Sequence, residues 1–170
     1  MKQVVDSHKV NIYLKPGEAV VSRRPVLVTT VLGSCVAVTM FSPKAGAGAI
    51  CHAMLPSNSC TRNDLLCVDT AVHYIYRKMV AYGAGNDMVI KLFGGAQVLD
   101  TANYSSERLT IGEQNVARAE EALGMLGLSV AKANTGGICG RKLLFSIKNG
   151  DVYLRKMGAR PDLIDRELIP

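Results

Sequence analysis

Between Val10 and Met54 the chain passes through five short apolar or β-branched runs: Val10 to Leu14, Ala19 to Ser22, Val26 to Val31, Cys35 to Phe41 and Ala47 to Met54. Pro16-Gly17, Arg24-Pro25, Gly33-Ser34 and Ser42-Pro43 separate them. Runs this short, bounded by turn residues, are strands. A chain that begins in this way must build sheet first and then cover it. The cover is legible downstream. Val68, Ala71, Val72, Ile75, Tyr76, Met79 and Val80 recur at three- and four-residue steps, which gives one apolar helix face over about three turns. Asp64 is placed to cap that helix and Gly83 to end it. A strand over Met88 to Phe93 follows. The next helix spans Glu113 to Leu126, with Val116, Ala119, Leu123 and Leu126 inward and Gly127 as terminator. Strands are expected at Leu128 to Ala133, Lys142 to Ile147 and Val152 to Arg155, the last two joined by the hairpin pair Asn149-Gly150. The pattern predicts an α+β fold, a layered α/β sandwich in which amphipathic helices cover a mostly antiparallel sheet. Met1 to Ser7 and Arg160 to Pro170 are expected to be loosely held.

At 170 residues, with no repeat or long linker, the chain reads as a single domain (residues 1–170) whose core runs from about residue 10 to 157. Its apolar stretches fall short of the roughly 20 residues of a membrane helix, so membrane insertion is not expected. The N-terminus carries no apolar signal region, and the expected location is the cytoplasm. Five cysteines at irregular spacing favour reduced thiols over a disulfide framework, with Cys51, Cys60, Cys67 and Cys139 as small apolar fillers. The net charge of +6 is spread over single or paired basic residues, and the nine aromatics include no tryptophan. That composition argues against nucleic-acid binding.

The chemistry concentrates where the strands are. Cys35 directly follows the Gly33-Ser34 turn, whose amides can converge as a small anion nest. Such amides would lower the thiol pKa and hold the oxyanion of a tetrahedral intermediate. The bland reading is a strand cysteine packed in the core. A thiol needs a base, and His52 is the histidine on an element expected beside the Cys35 strand; His8 and His73 lie elsewhere. The imidazole in turn needs a third group to fix its tautomer. Thr29 and Thr30 lie on the strand leading to the turn. Adjacent strand residues face opposite ways, so only one of them can serve. A zinc site from Cys51, His52, Cys60 and Cys67 competes, but its spacing lacks paired ligands. Gly94-Gly95 and Gly136-Gly137 match no nucleotide loop and are explained by tight turns or close backbone packing.

Several segments together resemble the CheD family of chemoreceptor glutamine deamidases. They are LGSCVAV at Leu32 to Val38, CHAMLP at Cys51 to Pro56, DTAV at Asp69 to Val72, KLFGGA at Lys91 to Ala96, IGEQN at Ile111 to Asn115 and TGGICGRK at Thr135 to Lys142. The resemblance implies a layered α/β sandwich and a hydrolase with a Cys-His-Thr site and no cofactor. Its substrates would be selected glutamines in the cytoplasmic helices of chemoreceptors, and in some members receptor methyl esters. It implies Cys35 as nucleophile, His52 as base and Thr29, six residues before the cysteine, as the third member; Gly33 and Ser34 remain the oxyanion turn read from the residues themselves. CheC-type phosphatases of phosphorylated CheY are the implied partners. The alternative is a non-catalytic regulator that binds such a phosphatase. The segment Ser57 to Cys67 matches nothing in the family pattern and is expected to line substrate entry or contact a partner.

Overall fold

In the computed structural model, alternating and helical periodicities become ten strands and two helices among the described residues, which are 5, 8–56, 65–97, 109–157 and 166–169. The order is β1 (Val10–Tyr13), β2 (Glu18–Ser22), β3 (Val26–Leu32), β4 (Val36–Ser42), β5 (Ala47–Ala53), α1 (Val68–Ala81) and β6 (Val89–Gly94), then α2 (Ile111–Met125), β7 (Val130–Thr135), β8 (Arg141–Ser146), β9 (Val152–Lys156) and β10 (Arg166–Ile169). The strands form two five-stranded sheets, ordered β1-β3-β8-β9-β10 and β2-β5-β4-β6-β7. β1 with β3 and β6 with β7 run parallel, and the other neighbouring pairs are antiparallel.

The fold is therefore α+β, as expected, but it has two mixed sheets in place of one mostly antiparallel sheet. Turn residues mark where a strand ends without saying which sheet the next one joins. Here β1 and β3 enter one sheet, and β2, β4 and β5 enter the other.

Period-two alternation divides the core. One face of the second sheet presents Ala37, Ile50 and Phe93 to Val28, Leu32, Leu143 and Phe145 of the first. The other face presents Val38, Met40, Ala49 and Cys51 to Val72, Ile75 and Met79 of α1 and to Ala119 and Leu123 of α2. β5 is buried at all seven positions for this reason: each of its faces has a covering layer. Phe93 and Phe145 are among the largest fully buried side chains, and burying each stabilises the fold by about 1.5–3 kcal/mol.

The helices differ from expectation mainly at their starts. Cys67 occupies the N-cap of α1 and makes no side-chain cap bond, while Asp64 lies outside the described residues. α2 begins two residues early because Thr110 and Glu113 form a reciprocal capping box. Gly83 and Gly127 follow the helices at φ 81 and φ 69, as expected. Two other expectations are overturned. Arg166–Ile169, assigned to a loose end, is β10 and pairs with β9. Cys67 is disulfide-bonded, whereas Cys35, Cys51 and Cys139 are free. Cys60 and most of the Ser57 to Cys67 segment lie outside the described residues. Among the described residues no helix is long and apolar enough to cross a membrane.

Candidate active site

Three segments converge where β3 turns into β4. β3 ends at Leu32, Gly33 and Ser34 make the turn, and Cys35 leads into β4 as a half-buried, free thiol. Ala37, two residues on and therefore on the same face, pairs with His52 of β5. Cys35 and His52 are thus diagonal neighbours on one side of the sheet, a relation that sets Cα atoms about 7–8 Å apart. Cys51 faces the helices instead, and burial among apolar neighbours pushes its thiol up to about 12. Since Cys51 and His52 point to opposite faces, they cannot share an ion.

His52 is 3% exposed and faces the first sheet, from which Thr30 of β3 reaches it. The Thr30 hydroxyl lies 2.8 Å from His52 Nδ1 and 2.8 Å from the Leu14 carbonyl oxygen. Its single proton goes to Leu14, because a carbonyl can only accept. The hydroxyl oxygen must then accept from Nδ1–H. This fixes the tautomer and leaves the Nε2 lone pair available. Nε2 is buried and makes no hydrogen bond with the described residues. The hydroxyl that bonds His52 is thus that of Thr30, not that of Thr29, the residue implied by the resemblance. Thr29 neighbours Thr30 on β3 and faces the other side of the sheet, away from His52.

Burial sets the protonation of both groups. It pushes the His52 imidazole below its ordinary 6.5, against the opposing pull of the Leu14 carbonyl and the Glu18 charge. It pushes the Cys35 thiol above its ordinary 9.0, only partly offset by the residue's own amide. The amide acts in the expected direction, lowering the thiol pKa, but desolvation outweighs it and the net shift is upward. Near neutrality the pair is thiol and imidazole, not thiolate and imidazolium.

The turn is held from behind. Ala96 N–H donates to Gly33 O at 2.8 Å and Gly95 N–H to Cys35 O at 2.9 Å. Gly94, at φ 110, passes so close that a Cβ there would lie 2.1 Å from Cys35 O. Asn115 of α2 donates from Nδ2 to Ser34 O at 2.9 Å and to Met54 O at 3.1 Å. The 136–140 loop closes the rim: Gly136 N–H bonds Gly94 O, and Arg141 donates to Gly136 O, Cys139 O and Asn134 Oδ1. The close-packing reading of Gly94-Gly95 agrees with this geometry. In the sequence Asn115 stands only as the last residue of the IGEQN segment. No one-dimensional signal relates it to residues 61 and 81 positions away.

The family model described as CheD chemotactic sensory transduction matches residues 54–156. That span takes in Gly94, Asn115 and Arg141, and it begins two residues after His52. A protein of Maridesulfovibrio salexigens named probable chemoreceptor glutamine deamidase CheD is 41% identical over 158 residues, covering 86% of this chain and 91% of its own length. One of Geobacter sulfurreducens, named probable chemoreceptor glutamine deamidase CheD 2, is 40% identical over 149 residues, covering 86% and 90%. One of Methanococcus vannielii, with the same name as the first, is 32% identical over 145 residues, covering 84% and 93%.

Proposed function

The chain belongs to the CheD family, and on that premise we propose that it is a protein-glutamine deamidase acting on the cytoplasmic helices of chemoreceptors. One observation carries the reading. The Thr30 hydroxyl bonds His52 Nδ1, leaving an imidazole whose free nitrogen lies on the same sheet face as the half-buried Cys35 thiol. A structural histidine would have both nitrogens bonded or one in solvent. This one is buried with a base atom unused.

In the proposed mechanism His52 Nε2 takes the Cys35 proton as Sγ bonds the carboxamide carbon of the substrate glutamine. The carbonyl π pair moves to oxygen, and N–H groups of the Gly33-Ser34-Cys35 turn stabilise the resulting oxyanion. The intermediate collapses, the C–N bond breaks, and the imidazolium returns its proton to the leaving nitrogen, so ammonia departs. The resulting thioester is attacked by water, whose proton passes to Nε2. The C–S bond then breaks, His52 reprotonates the thiolate, and glutamate is released. One water is consumed and one ammonia formed. Because both resting groups are neutral, proton transfer accompanies attack. Nε2 has to close on Sγ when substrate binds, as catalytic hydrogen bonds often do.

Receptor cytoplasmic fragments incubated with the protein should gain about one mass unit at specific glutamines and release ammonia. Cys35→Ala should abolish both changes. Ammonia release by Cys35→Ala at the wild-type rate would end the thiol mechanism. Unchanged receptor mass with tight binding to a CheC-type phosphatase would favour the non-catalytic regulator instead.

A further inference from the structure

The three carbonyls of the nucleophile turn are all occupied, and the middle one is held differently. Gly33 O and Cys35 O accept from the backbone amides of Ala96 and Gly95, whereas Ser34 O accepts from the Asn115 side chain. In a trans peptide the C=O and N–H lie in one plane and point in opposite directions. Whatever fixes Ser34 C=O therefore also fixes the direction of Cys35 N–H. That N–H lies against the residue's own sulfur, where an oxyanion formed on the attacked carbon would need a donor.

We propose that Asn115 is a positioning residue of the thiol site, aiming the Cys35 amide and tying the nucleophile turn to the end of the His52 strand. The proposal rests on the deamidase reading above. Its second leg is the other Nδ2 proton, donated to Met54 O two residues beyond His52. One NH2 group thus spans the nucleophile turn and the base strand. Asn115 is fully buried, and its Oδ1 has no partner among the described residues. Flipping the amide would set that oxygen against two carbonyl oxygens, so the side chain has one usable orientation. An unsatisfied buried acceptor opposes folding, and an apolar residue of the same shape would avoid it. The amide is kept for what its two donors hold.

The helix is seated to make this reach possible. A Cβ on Gly112 would lie 2.5 Å from Gly95 O, and one on Gly95 would lie 2.8 Å from Gly112 O. The first turn of α2 therefore rests directly on the backbone that holds Cys35 O. Asn115 follows Gly112 by three positions and shares its face.

The test uses the full chain with Asn115→Ala and Asn115→Asp. Removing both donors in Asn115→Ala should lower kcat about ten- to a hundredfold, less than outright loss of an oxyanion donor, with KM within about threefold. Iodoacetamide labelling of Cys35 should move to higher pH, since the amide no longer supports the thiolate. Asn115→Asp should recover part of the rate while its carboxyl is protonated and can donate, then lose it as the carboxyl ionises. A packing residue would show no such pH signature. Thermal unfolding of each variant reports whether it is folded. A folded Asn115→Ala protein with wild-type kcat and labelling profile overturns the proposal, as does a change in KM alone. If both variants fail to fold, Asn115 is a fold determinant and the positioning role falls. Wild-type protein that leaves receptor glutamines unchanged would sink the deamidase reading, while the labelling profiles still decide the role of Asn115.

Discussion

Replacing Thr30 by valine keeps the shape and β-branching of the side chain and exchanges for a methyl group the hydroxyl that bridges Leu14 O and His52 Nδ1 at 2.8 Å each. Thr30 is fully buried and Leu14 nearly so, so water cannot replace the hydroxyl. A buried group left unsatisfied costs about 1–3 kcal/mol. Two groups, Leu14 O and His52 Nδ1, lose this partner, and the low end of that range is taken for each. A total of about 2 kcal/mol lowers the melting midpoint of a domain this size by about 4–8 °C. The catalytic loss comes from tautomer and ring orientation. A neutral hydrogen bond worth about 1–2 kcal/mol corresponds to about a 5- to 30-fold fall in kcat. Deamidation of receptor fragments followed by mass spectrometry, well below the melting midpoint, measures it. Thr29→Val serves as the control, since that side chain faces away from His52 and should change kcat less than about threefold. The reverse outcome, activity lost in Thr29→Val and kept in Thr30→Val, would refute the assignment of the third residue.

The pH dependence follows from burial of His52. Its folded pKa lies below 6.5, so as pH falls through 6.5 the unfolded chain takes up a proton that the folded chain still refuses. This contribution to stability is therefore present above 6.5 and lost as pH falls toward the folded pKa. His52→Gln should flatten that part of a denaturation-versus-pH curve, and an unchanged slope would contradict a buried neutral imidazole. The acid limb of kcat/KM should lie below pH 6.5 for the same reason. Gly94→Ala forces a Cβ to within 2.1 Å of Cys35 O at a φ of 110, so the nucleophile turn has to move. At least a tenfold loss of kcat and about 1–3 kcal/mol of stability are expected, and full activity in this variant would show that the turn is not held as described. Arg118→Ala removes the ion pairs to Asp69 and Glu121, all of them partly exposed. It should cost about 1 kcal/mol or less by chemical denaturation and leave the kinetics unchanged.

Much of the fold was legible because periodicity is a local property. β4 and β5 read as strands from their apolar runs, and α1 read as a helix from its stripe, before any contact was known. Sheet membership was not legible, since β1 and β2 carry similar patterns and lie in different sheets. The start of α2 is legible only in its Thr110-x-x-Glu113 capping box, because the apolar stripe begins later. At the site, Cys35 and His52 stood out by residue type and turn context. Thr29 and Thr30 did not separate, because alternation says that only one can face the histidine without saying which. The family spacing of six residues before the cysteine points to Thr29, whose side chain faces away from His52. Asn115 was beyond reach, since its partners are distant in sequence and backbone carbonyls have no residue signature.

The neutral pair at the site bears on how such a thiol is controlled. A resting thiolate would react with any electrophile that reached a half-exposed cysteine. Burial raises the thiol and lowers the imidazole, so little thiolate exists before substrate arrives. In the proposed mechanism reactivity then depends on geometry in place of standing charge: the Nδ1–H donated to Thr30 aims Nε2, and the held peptide planes aim the amides. Both devices act only on a carbonyl already placed between them. Substrate selection therefore rests on what can seat a carboxamide at the turn. In the proposed mechanism the residues that hold the turn, Gly94, Gly95 and Asn115, belong to the reaction as much as those that move protons.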